Sequence, residues 1–555
     1  MGGLFAVHRS TGADIRATAE RLDASFRAQG FARAAAFDHA DWSIMAYPPM
    51  VAGNAAHHRD PAGNVIASVG TLFYRGRSGT EALPRLLADL ADDAVEEDEL
   101  WGTFGVVAGL GGDLVAFTDR PGTLHLYADR SGGIVSSSFL ALAEALPDLT
   151  VDDTSLYDYL FHEAPHGGGT VFDEIRLLPA EERVRIGARP DRRPRSVVRP
   201  SSRPEERFED SVARCLAPLQ HRFSLIAEAF GDRIDTALSG GFDSRLVLGL
   251  LRARQVRPAI HVYGETGSPD VRVAQAIAAG EGFSLAHVDK GETPSPSPDD
   301  YAETIDRNYR AFDGYPNDGL FDNGADLATR RDRCAGGRLA LNGGGGEIFR
   351  NFFHLPDRPL SAAAVVKSFY SQYDPRACRP RFRPRAYAAD LTWRLADAVG
   401  ASRAGMLTRD EVEAAYPDFR CRYWMGRNNT TNTRFGPALT PFIDREVVSA
   451  ALQVPYRHKE FGRLQARMIE TVDPALAAYP SAYGHTFDRE PPLRARLLEL
   501  ATLVRPPWLR ERSYRLRRRH APMPPLLTGR YREAVIGSRL EFMDAFVDET
   551  RIADP

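Results

Sequence analysis

Residues 236–251, TALSGGFDSRLVLGLL, decide the fold of the second half of this chain. A short apolar run ends at Ser239-Gly240-Gly241, and Asp243 and Ser244 then open an amphipathic pattern. This order predicts a buried strand, a tight turn and a helix. Glycine lets the turn approach a ligand closely, and the unpaired amides at the start of the helix attract an anion. The stretch therefore predicts a phosphate site, and the alternative is a tight turn that binds nothing.

The sequence after this stretch continues to alternate between strand and helix patterns. Residues 258–264, PAIHVYG, predict a strand, and residues 283–290, FSLAHVDK, predict another. Between them, residues 268–282 predict a helix with Ser268 at its cap and Pro269 in its first turn. Such alternation predicts a doubly wound parallel sheet of the α/β class, in which ligands bind at the carboxyl ends of the strands.

The first part of the chain has a different pattern. Residues 1–188 contain short strand-like runs bounded by Gly and Asp, with helical stretches between some of them, and predict a layered α+β domain. Residues 189–206, RPDRRPRSVVRPSSRPEE, lack an apolar period and predict an exposed linker. A second domain is expected over 207–555, and its part beyond residue 360 is expected to be mainly helical.

Composition limits the class of protein. The chain has 555 residues, 43% of them hydrophobic and 26% charged, with a net charge of -4, which is typical of a globular protein and gives no overall field toward nucleic acid or an acidic membrane. Four cysteines without a CxxC spacing argue against a disulfide scaffold or a zinc site. Because no signal peptide and no membrane-length apolar run is seen, a cytoplasmic location is expected.

The full motif SGGFDS, followed one crossover later by GSPDVRVAQAIA, resembles the pyrophosphate loop of N-type ATP pyrophosphatases. These enzymes cleave ATP between the α and β phosphates. The resemblance implies that ATP is bound by Ser239, Gly240, Gly241, Asp243 and Ser244. An aspartate at this position can also hold Mg²⁺.

Other motifs narrow the resemblance. Residues 339–353, LALNGGGGEIFRNFF, and 436–459, GPALTPFIDREVVSAALQVPYRHK, look like segments of asparagine synthetases. Residues 102–128 and 170–186 resemble the class II glutamine amidotransferase domain of that family. The implied architecture is an N-terminal Ntn-hydrolase-like domain followed by an ATP pyrophosphatase domain, as in asparagine synthetases, β-lactam synthetases and lasso-peptide cyclases.

The sequence departs from this family at three points, of which two concern the first residues and the second loop. Gly2 stands where a working glutaminase domain has its nucleophilic cysteine, so glutamine hydrolysis is expected to be absent. In the second loop, Gly343 and Gly344 are expected to contact the nucleotide, but the usual metal-binding aspartate is missing. Glu347 is therefore expected to share Mg²⁺ with Asp243. Gly344 lies near the family's usual base position and cannot transfer a proton.

The resemblance implies three further sets of site residues. Adenine is expected to lie against the strand end at Val262, Tyr263 and Gly264. The late lysine of the family is missing from residues 476–487, so the candidate catalytic residues are His485 and Lys459, with a solvated helix end as the alternative for the lysine. Substrate carboxylates are expected at two arginines, for which structural ion pairs are the alternative: Arg427 and Arg434.

These observations favour an ATP- and Mg²⁺-dependent ligase that adenylates a carboxylate and passes the acyl group to an amine, releasing AMP and pyrophosphate. The acid is expected to be a small molecule or a peptide, and neither nucleic acid nor membrane is expected as a partner. Intramolecular cyclisation, with a precursor peptide and a leader-binding protein, and intermolecular amide formation both stay open. The alternative is a degenerate, non-catalytic homologue that binds nucleotide or a partner peptide.

Overall fold

The computed structural model describes residues 2–9, 15–32, 34–186, 191–195, 201–315, 319–401, 405–518, 529–536 and 545–547. Within these ranges the chain forms a first half of antiparallel sheets and a second half built around a parallel sheet. Among the described residues, no helix combines the length and the apolar content needed to cross a bilayer.

Short strands and a few helices make up the first half. In chain order they are β1 Gly3–His8, α1 Ile15–Ala28, β2 Ala35–His39, β3 Trp42–Tyr47, β4 Ala56–Arg59, β5 Val65–Tyr74, β6 Arg77–Ser78, α2 Leu83–Ala91, β7 Leu100–Leu110, β8 Asp113–Thr118, β9 Tyr127–Asp129, β10 Ile134–Ser136, α3 Phe139–Ala145, α4 Asp153–His162, β11 Ile175–Leu177, β12 Glu182–Ile186 and β13 Asp191–Pro194. One sheet has the order β11-β9-β10-β1-β3-β2, and the other has the order β13-β12-β8-β7-β5-β4 with β6 on β5.

Alternating side chains explain how these sheets are layered. In β1, Leu4 faces the core between the two sheets, whereas Phe5 faces the core beneath α1 and α3. In β7, Val107 joins the intersheet core, whereas Phe104 packs with α2 on the outer side. Strands buried on both faces read as continuous apolar runs rather than as alternating ones. The layers are therefore helix, sheet, sheet and helix, and the predicted layered α+β arrangement is confirmed for the described residues.

The second half alternates strands and helices and then becomes mainly helical. Its elements are α5 Phe208–Phe230, β14 Ile234–Ala237, α6 Phe242–Arg252, β15 Ala259–Tyr263, α7 Pro269–Glu281, β16 Ala286–Val288, α8 Pro298–Ala311, α9 Ala325–Arg333, β17 Leu339–Leu341, β18 Leu360–Ser361, α10 Ala362–Phe369, α11 Pro384–Ala398, β19 Met406–Leu407, α12 Arg409–Ala415, a π-helix Tyr416–Met425, α13 Gly426–Phe435, β20 Ala438–Leu439, α14 Arg445–Leu452, α15 Tyr456–Lys459, α16 Arg463–Val472, α17 Pro474–Ala478, α18 Leu493–Leu503, α19 Pro507–Arg518 and α20 Gly529–Ile536.

The parallel sheet is doubly wound, as predicted. Its strand order is β16-β15-β14-β17-β20, and each neighbouring pair is parallel. Ile234 and Leu339, which are neighbours on β14 and β17, pack with α5 and α6 on one face. Ala340 packs on the other face with Leu327 of α9 and Phe435 of α13. Helices therefore cover this parallel sheet on both faces.

The predicted exposed linker begins later than the sequence suggested. β13 pairs with β12 and extends the first half's sheet. Arg195 follows it as a buried residue whose guanidinium donates to Glu97 at 2.9 Å and to the carbonyl of Thr118 at 2.6 Å. Within the expected exposed connector 189–206, Asp191 and Arg192 are exposed, but they belong to a strand of the first half's sheet, and Arg195 is buried. The Arg- and Pro-rich composition hid this segment because a charged side chain, rather than an apolar one, fills the buried position.

Candidate functional site

Two glycine-containing loops leave neighbouring strands at the carboxyl edge of the parallel sheet. The first loop, residues 238–241, joins β14 to α6, and the second loop, residues 342–346, follows β17. From β14 the chain moves outward to β15 and β16, and it then crosses back to β17 on the other side of β14. The direction of winding therefore reverses between the two loops. A crevice at such a reversal is the usual ligand site of open α/β sheets.

Two serines and Asp270 shape the first loop. The N–H of Ser239 donates to Oγ of Ser244 at 2.9 Å, and the two hydroxyl oxygens lie 3.0 Å apart. The N–H of Gly240 donates to Oδ1 of Asp270, in the first turn of α7, at 2.7 Å. Within the described chain, α6 has no side-chain cap. The amides of its first turn are therefore left uncapped at the carboxyl edge of the sheet, where they favour an anion.

Glycine is required at residue 240 for a reason other than a ligand. A Cβ there would lie 2.6 Å from the Cβ of Ala482, which belongs to a turn packed against the loop. The N–H of Ala482 also donates to the carbonyl of Gly240 at 3.0 Å. At Gly241 the nearest atoms to a Cβ would lie at an ordinary contact distance of 3.6 Å. Packing of the Ala482 turn, not close approach of a phosphate, therefore explains the first glycine.

Asp243 and Glu347 approach one another through Arg350. Nη2 of Arg350 lies 3.2 Å from Oδ1 and 3.0 Å from Oδ2 of Asp243. The same nitrogen lies 3.6 Å from Oε1 of Glu347. The amide of Gln465 donates to Oδ1 of Asp243 at 2.6 Å, and the hydroxyl of Tyr416 donates to Oε2 of Glu347 at 2.6 Å. The structure thus brings the two predicted metal ligands together around a guanidinium.

The electrostatics of this group follow from its burial. Burial raises the pKa of Asp243 to about 6; Arg350 opposes this rise, and the negative charge of Glu347 adds to it. Burial lowers the pKa of Arg350, but the carboxylates of Asp243 and Glu347 outweigh that effect and raise it above its ordinary value. The guanidinium therefore stays charged, and it is the principal charge partner of Asp243.

The glycines of the second loop let it wrap around Asp243. A Cβ on Gly346 would lie 2.1 Å from Oδ1 of Asp243, and a Cβ on Gly345, whose φ is +87°, would lie 2.4 Å from Ile443. A Cβ on Gly343 would lie 3.3 Å from the backbone carbonyl carbon of Asp243. A Cβ on Gly344 would lie 3.3 to 3.6 Å from the thioether end of Met425 and the methyl group of Thr440. The three atoms of the described chain nearest to such a Cβ include no proton-transfer group.

The arrangement was expected to hold Mg²⁺, an ion that needs near-octahedral oxygen ligands at short range. Arg350 lies between the two carboxylates that would supply them. Gly346 provides no third carboxylate, and the described residues contain no group of three or more His, Cys, Asp or Glu suited to a metal. Because the guanidinium fills the shared face of Asp243 and Glu347, this pair as folded does not fit Mg²⁺. A metal on Asp243 and Glu347 stays a prediction, and the contacts of Arg350 with both carboxylates do not support it.

His485 lies in the turn that packs on the first loop. The N–H of Ser481 donates to the carbonyl of His485 at 2.9 Å, which closes the turn next to Ala482. Nδ1 of His485 lies 2.8 Å from the carbonyl of Thr486. The His485 ring stacks on the ring of Tyr483, with the two centroids 6.3 Å apart. Tyr483 in turn meets Phe242, the first residue of α6, at 5.1 Å. The structure therefore places His485 beside the predicted phosphate loop.

Lys459 is placed elsewhere. Its side chain is 0% exposed, and its Nζ lies 2.7 Å from Oε2 of Glu413, which also pairs with Arg409. A lysine held in this way cannot reach a phosphate without breaking a buried ion pair. Both sequence interpretations, a phosphate contact and a solvated helix end, are replaced by a structural pair.

Arg427 and Arg434 lie at the contact between the two halves. Arg427 is buried and donates to the carbonyl of Glu163. Arg434 is buried and donates to the carbonyl of Ala311 at 3.1 Å and to the amide oxygen of Gln29. The structure therefore uses both arginines at the interface, which agrees with the structural alternative and not with the substrate role expected of them.

The strand end proposed for adenine is largely engaged already. Val262 is buried within the sheet. The N–H of Gly264 donates to the carbonyl of Val288 at 3.2 Å, and its carbonyl lies 2.8 Å from Nε2 of His287. The ring of Tyr263 lies under Nζ of Lys290 at 5.2 Å. Backbone recognition of adenine at Gly264 would have to displace these bonds.

Several residues of this site have no local signal in the sequence. Arg350 follows Glu347 by three residues, and a charge partner for the carboxylates could have been sought there, but the abundance of arginine masks it. Tyr416 reaches Glu347, and Gln465 reaches Asp243, from more than 60 positions away, and only the packing of the π-helix and α16 brings them in. Asp270 was part of the predicted α7, but its contact with Gly240 was not expected.

A separate cavity of about 650 Å³ lies between the halves. Its wall includes His125 and Gly167–Gly169 from the first half, and Arg394, Arg422 and Tyr423 from the second. His166, also in the wall, is buried, and neither of its ring nitrogens has a hydrogen-bond partner among the described residues. The π-helix joins this cavity to the site, because Arg422 and Tyr423 line the cavity and Tyr416 bonds Glu347.

Comparison with known proteins adds little to this geometry. No protein-family model matches the sequence, and no curated protein matches it. One solved structure, described as the allosteric regulatory enzyme of purine biosynthesis, has a TM-score of 0.25 and 11% identity, over 52% of this chain and 80% of its own. The glutamine phosphoribosylpyrophosphate amidotransferase from B. subtilis, complexed with ADP and GMP, has a TM-score of 0.25 and 12% identity, over 51% of this chain and 65% of its own. At these TM-scores the likeness carries no argument.

Proposed function

We propose that the chain is an ATP-dependent ligase that adenylates a carboxylate and transfers the acyl group to an amine. One observation carries this proposal: the SGGFDS loop and the NGGGGE loop flank the point where the winding of the parallel sheet reverses, and the first turn of α6 has no side-chain cap there. Loops of this kind bind phosphate through backbone amides and the helix dipole. The motif's resemblance to pyrophosphate loops gives the class of reaction.

The proposed reaction has two steps. An oxygen of the substrate carboxylate attacks the α phosphorus of ATP, the bond from that phosphorus to the β-phosphate oxygen breaks, and pyrophosphate leaves. The amine then attacks the acyl carbon, the acyl–oxygen bond breaks, and AMP leaves. The amine nitrogen loses one proton, which passes to solvent or to a substrate group, since Gly344 and its neighbours Met425 and Thr440 offer no base. The product is an amide.

The chain contributes mainly position and charge. The amides of α6's first turn and the hydroxyls of Ser239 and Ser244 would hold the pyrophosphate. Nη2 of Arg350 contacts Asp243, and Nη1 of Arg350 lies 3.4 Å from the hydroxyl of Tyr483. The positive charge of Arg350 would therefore lie next to the bound phosphates. His485 lies in the turn above the loop and is the candidate for contact with the leaving phosphates. Fixed charges in a crevice stabilise a developing negative charge without reorganisation.

The amine is proposed to come from a substrate rather than from glutamine. Gly2 has a φ of +98°, and a Cβ there would lie 2.1 Å from the carbonyl oxygen of Tyr47. Its N–H donates to the carbonyl of Thr433, in the second half, at 3.3 Å. A nucleophilic side chain at this position has no room, which supports a first half without glutaminase activity. Cyclisation of a precursor peptide brought by a leader-binding protein, and joining of two separate substrates, both satisfy this requirement.

Exchange of radiolabelled pyrophosphate into ATP, measured with a panel of carboxylic acids and peptides, tests the proposal. Asp243→Asn should lower the exchange rate by about a hundredfold or more, because it removes the charge that orients Arg350. Asp299→Asn, an exposed residue at the start of α8, is the matched control and should leave exchange unchanged. Full exchange in Asp243→Asn would remove this residue from the mechanism.

A second candidate function is nucleotide or peptide binding without catalysis. Two contacts favour binding without catalysis, since each occupies a group that catalysis would use. The carboxylate of Asp270 accepts from the amide of Gly240, and the guanidinium of Arg350 contacts Asp243. Titration with a fluorescent ATP analogue separates the two. Binding that depends on Ser239 and Gly241, with no exchange for any acid tested, would support the binding protein and contradict the ligase.

A further inference from the structure

Arg350 occupies the position that two acidic residues would offer to a divalent cation. It follows the short helical turn Gly346–Phe349, and its side chain lies 5.3 Å over the ring of Phe242. Its Nη2 contacts both oxygens of Asp243 and lies 3.6 Å from Glu347. The side chain is only 18% exposed. The guanidinium is thus fixed by packing as well as by charge.

Neutral hydrogen-bond donors make the remaining contacts of the two carboxylates, without a metal. Gln465 and Tyr416 donate one hydrogen bond each, to Asp243 and Glu347 respectively. The absence of a side chain at Gly346 allows this closure, since a Cβ there would press on Oδ1 of Asp243. A divalent ion placed between the carboxylates would meet the charged guanidinium at about 3 Å, where like charges repel strongly at low dielectric.

We propose that the guanidinium of Arg350 takes the place of a divalent cation between Asp243 and Glu347. The carboxylate pair is therefore closed to metal until Arg350 is removed, and Arg350 is the charge that an incoming phosphate group meets at this point. The inference deepens the proposed function and rests on it for the identity of the phosphate. The closed metal position itself is a property of the free chain.

Binding of Mn²⁺ to the full-length chain without nucleotide tests this directly, with free Mn²⁺ measured by electron paramagnetic resonance. The wild type and Asp243→Asn should bind Mn²⁺ equally, because Asp243 holds no metal in the wild type. Arg350→Met keeps most of the side-chain volume and removes the charge, and it should bind Mn²⁺ at least tenfold more tightly than the wild type. The double variant Arg350→Met/Asp243→Asn should lose that gain. Arg350→Lys retains a cation and is the matched control that should gain no site.

Two outcomes would overturn the inference: Asp243-dependent Mn²⁺ binding by the wild type, or no gain in Arg350→Met. If circular dichroism shows that Arg350→Met does not fold, the comparison of the wild type with Asp243→Asn decides alone. Pyrophosphate exchange is not part of this readout. A chain that fails to catalyse exchange but gains the Mn²⁺ site in Arg350→Met would contradict the ligase and support the role of Arg350.

Discussion

Arg434 and Asp313 form a buried ion pair, with Nη1 and Oδ1 3.4 Å apart and each side chain 2% exposed. Asp313 belongs to the second half, yet it accepts hydrogen bonds from the N–H groups of Phe139 and Leu140 at the start of α3, at 2.8 and 3.3 Å. The pair therefore ties a helix end of the first half to α13 of the second. Its geometry explains why Arg434 is unavailable to a substrate.

Replacing Arg434 with Met should destabilise the chain by about 3–5 kcal/mol, because it leaves the Asp313 carboxylate buried without its partner. Arg310→Met, which breaks a partly exposed pair with Asp306 and Glu144, should cost about 1 kcal/mol or less. Urea denaturation followed by fluorescence gives both values. Equal effects of the two substitutions would mean that the buried pair does not join the halves.

Gly2→Ala should lower the melting temperature more than Gly63→Ala. Both glycines have positive φ, +98° and +87°, so both alanines carry the same backbone strain. Only at residue 2 would the new Cβ collide with the carbonyl of Tyr47, since nothing lies within 4 Å of a Cβ at Gly63. Differential scanning fluorimetry checks the order, and similar melting temperatures would argue against a closed pocket at Gly2.

Gly2→Cys is expected to release no glutamate from glutamine, because the position lacks room for a nucleophile as well as lacking the nucleophile itself. An assay coupled to glutamate dehydrogenase measures this. Glutamate formation by the variant above the wild-type background would show that the site opens enough to work as a glutaminase.

The contribution of His125 and His162 to the free energy of unfolding should fall as the pH drops from about 6.5 toward 4. Burial lowers the pKa of His125 and of His162 to about 4, so the folded chain binds fewer protons than the unfolded one in this range. Stability therefore rises with pH there, and each histidine costs about 2 kcal/mol by pH 5. His162→Gln should reduce the pH dependence. His221→Gln, at an exposed histidine, should leave the slope as in the wild type, and an equal slope in both variants would contradict the assignment.

Lys459 should prove structural in a double-mutant cycle with Glu413. The single changes Lys459→Met and Glu413→Gln should each destabilise, and the coupling energy between them should be about 1–3 kcal/mol, because the pair is buried. Pyrophosphate exchange per folded molecule should persist in Lys459→Met at a temperature where it is folded. Loss of exchange in a fully folded Lys459→Met variant would instead support the predicted contact of Lys459 with the phosphates.

The sequence predicted the parts of the fold that have a local pattern. The run from β14 to α6 was visible because an apolar stretch, two glycines and an amphipathic segment follow one another. The position of the two loops at one edge of the sheet then followed from the general behaviour of parallel strands. Ser268 and Pro269 marked the start of α7, although the hydroxyl of Ser268 does not cap it.

The contacts that organise the site could not be predicted in this way. Arg350 and Asp243 are separated by more than 100 residues, and nothing near either one selects the other. In a chain whose 70 basic residues include only three lysines, an arginine carries little information by itself. Three arginines are buried and bond backbone carbonyls or carboxylates: Arg195, Arg427 and Arg434. The sequence offered no means of distinguishing them from exposed arginines.

The ion pair of Lys459 with Glu413 has its counterparts at Lys290 and Lys367, which pair with Asp326 and Glu511. Every lysine of the chain is therefore engaged by a carboxylate. Guanidinium groups stay protonated and are poor nucleophiles, whereas a free amino group attacks activated acyl compounds readily. Under the proposed function, pairing of all three lysine amines with acids would protect these side chains from acylation by the mixed anhydride.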